Sequence, residues 1–315
     1  MDDVLGCSPI PLSDVLDQIK GGNSTVYKCL GKNRKLYAVK VLEGDDERRS
    51  IAFARQVSAG AVLEESSILS PALIASNERA SLLVYEWIEG FHPIASENLA
   101  IEIIRVVQEL KELFLLKPNF SLAADALTHV AAEMMNIESR RVALQKLSDK
   151  ESFETWSAGL IARLDWLNEI NAINEFKIDT YSFSDFGVHN ILSTSNDLFF
   201  LDTEFFGLDS SYKLLADLLL HPQNSFAPEV NLKLHKEISQ LFNHDETKMR
   251  LVLQLLCLKW STIAFKRFAA VNISGMSGDA YKLAMQYLRV FDDFRDMDFR
   301  EGVFEMHIQL RGEGA

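Results

Sequence analysis

The sequence predicts an α+β chain of two lobes: a small antiparallel β-rich lobe over residues 1–90 and a larger, mainly helical lobe over 91–315. Three observations carry this. Short, β-prone, roughly alternating segments crowd the first ninety residues, helical periodicity takes over from Asn98, and a turn at Gly90 punctuates the change.

In the small lobe, Val26–Leu30 and Lys35–Val41 read as paired strands with Gly31-Lys32-Asn33-Arg34 as their hairpin turn. A helix is expected over about 46–65, then strands over 72–75 and 81–87. Beyond Asn98, Ile101, Ile104, Val107, Leu110 and Phe114 mark one helix face. Further helices are expected over about 122–148, 151–172, 212–221, 231–242, 246–273 and 278–297, with strands in this lobe only at 191–192 and 198–201. No internal repeat or low-complexity run interrupts the pattern.

Composition narrows the class. With 315 residues, 48% of them apolar and 24% charged, the chain reads as an ordinary globular protein. A net charge of −13 argues against a nucleic-acid backbone or an anionic membrane as partner. Cys7, Cys29 and Cys257 form neither metal-ligand spacing nor a disulfide framework. The acidic N-terminus lacks the apolar core of a signal peptide and no apolar run reaches membrane-spanning length, so a cytoplasmic setting is expected.

The chemistry concentrates in Ser184–Asp202, SDFGVHNILSTSNDLFFLD. Asp185 is followed five residues later by Asn190, then by the apolar run Leu198–Leu201 ending in Asp202. Phosphoryl transfer needs such a set: one carboxylate to orient the attacking hydroxyl, and an amide oxygen with a second carboxylate to hold magnesium. Asp185-Phe186-Gly187 also spells the metal-binding tripeptide of protein kinases. That register requires an upstream Asp with Asn five residues on. The nearest candidate, Asp165, is followed at that offset by Ile170, so Asp185 is read as the base, with Asn190 and Asp202 as metal ligands. Glu204, two residues on, points the same way as Asp202 on an extended segment and joins the metal set. Asp217, inside an apolar helix, is read either as the acceptor of backbone N–H bonds from the catalytic loop or as a partly exposed acid. His189 is read as structural. Upstream, Gly21-Gly22-Asn23-Ser24-Thr25 is a turn whose backbone can approach phosphate oxygens, and it precedes Lys40, flanked by apolar strand residues.

These segments, GGNSTVYK, YAVK, LLVYEWIEG, SDFGVHNIL, FFLDTEFFGLD and LLADLL, resemble the aminoglycoside phosphotransferase and choline kinase group of small-molecule kinases. The resemblance spans about residues 20–222. It implies a protein-kinase-like bilobal fold, ATP (or GTP) and Mg²⁺ as cofactors, and transfer of the γ-phosphate to the hydroxyl of a small molecule that is aminoglycoside-, choline- or sugar-like. It assigns Lys40 and the 21–25 turn to the triphosphate, and the main chain of Glu86 to Ile88 to the base. The acceptor pocket is assigned to helices over roughly 100–180 and 223–300. Such a lysine usually pairs with a Glu on the next helix, where Glu47 and Gln56 are the candidates. The usual HGD triplet is Phe183-Ser184-Asp185 here. Two other readings stand beside this one: a nucleotide-binding pseudokinase acting as regulator or scaffold, and a protein kinase, which the absent HRD arginine and APE segment disfavour.

Overall fold

A computed structural model describes residues 2–21, 23–147, 149–170, 175–195, 197–271 and 278–296. The described chain forms two compact units, each drawn from separate stretches of sequence. One takes residues 1–93, 109–125 and 181–208; the other takes 94–108, 126–180 and 209–315.

The first unit is organised by a five-stranded antiparallel sheet. Its strands are β1 (Leu12–Lys20), β2 (Ser24–Gly31), β3 (Leu36–Leu42), β4 (Leu73–Asn77) and β5 (Leu82–Glu86), in the order β1-β2-β3-β5-β4. The expected hairpin between β2 and β3 forms, with Arg34 in left-handed backbone at φ 63° and its N–H bonded to Gly31 O at 2.8 Å. Cys29, Val39, Leu82 and Val84 close the core on one face of the sheet, beneath the short helix α1 (Asp2–Cys7) and β1. On the other face, Leu42 and Leu83 meet Phe53 of α2 (Asp46–Leu63). Asp45 caps α2 by accepting the Arg48 N–H, and Asp46 and Glu47 sit favourably in its first turn.

β1 gives only a weak strand signal in the sequence because its pattern is mostly exposed and polar: as an edge strand it needs one partner, β2, and little apolar burial. β7 (Ile191–Ser193) and β8 (Leu198–Phe200) form the expected hairpin, with Ile191 opposite Phe200. Two three-residue strands were also missed, β6 (Thr180–Ser182) and β9 (Gly207–Asp209), which pair with each other. The helix expected from residue 122 does not begin there. Ala123 N–H donates to Leu208 O at 2.9 Å and Leu208 N–H to Ser121 O at 2.9 Å, so this stretch is an extended partner of β9. Gly207 permits that approach: a Cβ there would stand 2.5 Å from Ala123 N.

The second unit is helical. α3 (Glu97–Leu116) begins in it, and α4 (Val130–Leu144), α5 (Lys150–Ile170), α6 (Ser211–Leu220), α7 (Pro228–Phe242), α8 (Glu246–Val271) and α9 (Gly278–Asp296) complete it. α8 is apolar nearly all round and is buried along most of its length, the expected state of a helix with no polar face. Trp156 of α5 stacks on Phe265 of α8 at 4.1 Å and donates its indole N–H to Ser261, which donates onward to Ala284 O of α9. Residues 148, 171–172, 272–273 and 297, at the ends of expected helices, lie outside the described residues. Among the described residues no helix is long and apolar enough to cross a membrane.

Candidate active site

The segment from Asp185 to Glu204 rests on aromatic packing in the first unit. Phe183 stacks on Phe200 at 5.3 Å with planes 19° apart, and Phe186 meets both rings edge-on. Between the two buried phenylalanines the chain reverses. Ser184 takes left-handed backbone at φ 60°, its N–H bonds Ser182 Oγ at 2.9 Å, and the Asp185 N–H bonds Phe183 O at 2.7 Å. The reversal leaves Asp185 partly exposed between buried neighbours. Ser184 stands at the glycine of the HGD pattern, and left-handed backbone costs a non-glycine residue about 1–2 kcal/mol. The turn is therefore kept by its surroundings where glycine would adopt it freely.

A 3-10 turn over Val188–Asn190 then carries Asn190, whose Nδ2 donates to Asp185 O at 3.0 Å. The β7–β8 hairpin returns the chain to it, with Leu201 N–H on Asn190 O at 2.9 Å. Asp202 follows directly. Asp185, Asn190 and Asp202 line one small recess together with Phe183, Phe186 and Phe200. His189 is exposed, with Nε2 3.8 Å from Asp185 Oδ2.

Lys40 lies on β3 and is 8% exposed. Its Nζ is 3.0 Å from Asp202 Oδ1 and 3.6 Å from Glu204 Oε2, so the two acids do point the same way. The helix partner expected for Lys40 is replaced: Glu47 is exposed in the first turn of α2, while buried Gln56 accepts from Tyr85 Oη at 3.4 Å. Glu204 lies outside the recess. Its Oε1 accepts from Asn23 Nδ2 at 2.9 Å and its N–H bonds Asp202 Oδ1 at 3.1 Å. Burial pushes the Glu204 carboxyl up, with Lys40 pulling it back down. Burial likewise raises the Tyr85 phenol, and Asp202 adds to the rise.

In the glycine turn, Gly21 N–H bonds Ser24 O at 2.8 Å, and Ser24 and Thr25 are buried at the start of β2. Thr25 Oγ1 donates to Glu43 at 2.6 Å. Gly22 lies outside the described residues. At the end of β5 the Glu86 N–H is committed to Ala72 O at 3.0 Å and its carboxylate to Ala72 N–H, so that N–H is not open to a base. Ile88 follows, half-buried.

Arg55 was not singled out by sequence. Its Nη1 donates to Glu204 O at 3.4 Å across 149 residues, a separation that leaves no local signal. In the second unit, Asp217 is neither partly exposed nor seen bonding the loop's backbone. It is buried, and Lys213 Nζ lies 2.6 Å from its Oδ2 and 3.1 Å from Asp209 Oδ2. Here a signal existed: Asp209, Lys213 and Asp217 are spaced four apart.

No protein-family model and no curated protein sequence matches the chain. Solved structures do. Choline kinase LicA from Streptococcus pneumoniae superposes with a TM-score of 0.58 at 16% identity, over 88% of this chain and 94% of that one. Choline kinase from Cryptosporidium parvum Iowa II gives 0.60 at 13%, over 94% and 93%. A spectinomycin phosphotransferase in complex with ADP and spectinomycin gives 0.58 at 12%, over 98% and 96%. At these identities the likeness establishes the fold: the chain has the protein-kinase-like α+β architecture that these small-molecule kinases share.

Proposed function

We propose, from a chain with the fold of aminoglycoside phosphotransferases and choline kinases, that it transfers the γ-phosphate of ATP (or GTP) to a hydroxyl of a small molecule, with Mg²⁺. The observation that carries this is the convergence of Asp185, Asn190 and Asp202 on one recess, with Lys40 bonded to Asp202. Asp185 accepts the hydroxyl proton of the acceptor. The acceptor oxygen bonds the γ-phosphorus as the bond to the β–γ bridging oxygen breaks, and the nucleoside diphosphate leaves with that electron pair. Asn190 and Asp202 fit magnesium because both offer hard oxygen ligands, and Glu204 supports Asp202 through its N–H. Bound there, the ion would neutralise charge on the phosphates. Lys40 and the 21–25 turn hold the triphosphate, and main-chain groups of 86–88 other than the committed Glu86 N–H hold the base.

In this reading residues 1–90 serve the nucleotide and 91–315 the catalytic loop and acceptor, in a cytoplasmic setting. The structural neighbours act on choline and spectinomycin by name, which supports an aminoglycoside-, choline- or sugar-like acceptor, cationic or neutral. A coupled ADP-release assay over a panel of hydroxylated metabolites tests this. Asp185→Ala should lower kcat about 10²–10⁴-fold with an unchanged melting temperature. A fully active variant would refute the assignment of the base. Magnesium-dependent ATP binding with no turnover of any acceptor would favour the regulator or scaffold reading, which the phenylalanine in place of the histidine at 183 and the lack of a helix glutamate partner for Lys40 motivate.

A further inference from the structure

In kinase folds the strand lysine is held toward the phosphates by a carboxylate on the following helix. Helix α2 offers none at that place. Gln56, 2% exposed, spends its Oε1 on Tyr85 Oη and its Nε2 on Ala52 O. The ammonium of Lys40 meets Asp202 and Glu204 instead.

Those two acids are not equivalent. Asp202 faces the recess it shares with Asp185 and Asn190, and a cation bound there would draw its carboxylate away from Lys40. Glu204 does not line that recess. Both its oxygens are spoken for within the unit, Oε1 by Asn23 Nδ2 at 2.9 Å and Oε2 facing Lys40 Nζ at 3.6 Å. Arg55 of α2 donates Nη1 to the main-chain O of Glu204 at 3.4 Å; its charge is felt first by Asp125 and then by the Glu204 carboxylate.

We infer that Glu204 is the positioning carboxylate of Lys40, replacing the helix glutamate, and that it does so without ligating the metal. Because Asn23 belongs to the glycine turn, the same carboxylate ties that turn to the lysine. The functional consequence rests on the proposed nucleotide role of Lys40, but the pairing itself can be read without nucleotide.

The test labels the full chain with acetic anhydride, without nucleotide or metal, and quantifies acetylation at Lys40 by mass spectrometry. An Asp202→Asn background removes the competing acid. Adding Glu204→Gln should then speed acetylation of Lys40 about tenfold, the factor for losing roughly 1.4 kcal/mol of restraint. Adding Gln56→Glu as well should restore the slow rate by returning a carboxylate to the helix. Should the glutamine variant fail to fold, Glu204→Asp, one methylene shorter, should give a smaller acceleration. Unchanged labelling in either variant overturns the inference. With Asp202 intact, Glu204→Gln should weaken Mg·ATP binding about 10- to 100-fold, at an unchanged half-saturating magnesium concentration, and Gln56→Glu should recover it. A shift in magnesium requirement alone would make Glu204 a metal ligand and overturn the inference. A wild-type chain that ignores ATP while Lys40 labelling responds as expected would sink the nucleotide reading and leave the pairing standing.

Discussion

Replacing Lys213 with methionine removes the ammonium from between two carboxylates that are 0% and 1% exposed. Methionine occupies a similar volume, so packing changes little and the loss is electrostatic. Asp209 keeps two backbone donors, the N–H groups of Leu127 at 2.9 Å and Ser210 at 2.8 Å. Asp217 fares worse: it loses Nζ at 2.6 Å, and its Oδ1 already has no hydrogen-bond partner among the described residues. Removing one partner of a buried ion pair costs about 3–5 kcal/mol. At roughly 2–4 °C per kcal/mol for a chain of this order of size, the melting temperature should fall by about 6–20 °C. The loss has a pH signature. Burial raises the Asp209 carboxyl, and the Lys213 charge is the largest influence pulling it back. Without Lys213 the folded-state pKa moves further above the unfolded value. A raised carboxyl pKa stabilises the fold at low pH, and that contribution is lost as pH climbs through the folded value. The deficit against wild type is therefore largest near neutrality and narrows on acidification. Circular-dichroism melts at about pH 7.5 and about pH 5.5 read both effects. A shift under about 2 °C, or an equal deficit at both pH values, would refute the reasoning.

Two further outcomes follow from the same geometry. Gly207→Ala places a Cβ 2.5 Å from Ala123 N and 2.7 Å from Ser121 O, backbone that is held in the β9 pairing, so a loss above about 4 kcal/mol or failure to fold is expected; a urea midpoint equal to wild type would show that the gap can open. Burial lowers His235 and His244 from 6.5 to about 4. His244 stacks on Tyr212 at 4.1 Å with Nε2 2.9 Å from Ser211 Oγ. The unfolded chain takes up these protons first, so stability present above pH 6.5 should be lost as pH falls toward 4. Urea midpoints measured across that window, if flat, would contradict this.

The parts of the fold and site that sequence made legible are those with local signatures. The β2–β3 hairpin declares itself through alternation and a Gly-bearing turn, and the Asp185, Asn190 and Asp202 set through spacing within eighteen residues of chain. What stayed hidden is long-range. A helix is expected from residue 122, but pairing of 121–123 with Leu208 overrides it. Gln56 could be read in the sequence as a candidate partner of Lys40, but the acid that meets the lysine, Asp202, lies 162 residues away and leaves no local signal. β6 and β9 are too short for any periodicity to register. Ser184 is the converse case: the sequence shows a serine where the family it resembles carries glycine, and the backbone shows that serine in left-handed conformation.

The first compact unit is assembled from three separated spans, with residues 181–208 packed as part of it. A polypeptide cut after Gly90 would keep Lys40 and the glycine turn yet forfeit Asp202 and Glu204, leaving the ammonium with neither counterion. The first ninety residues, expressed alone, would thus be an incomplete body, and domain swaps with chains of the same fold would have to exchange all three separated spans together.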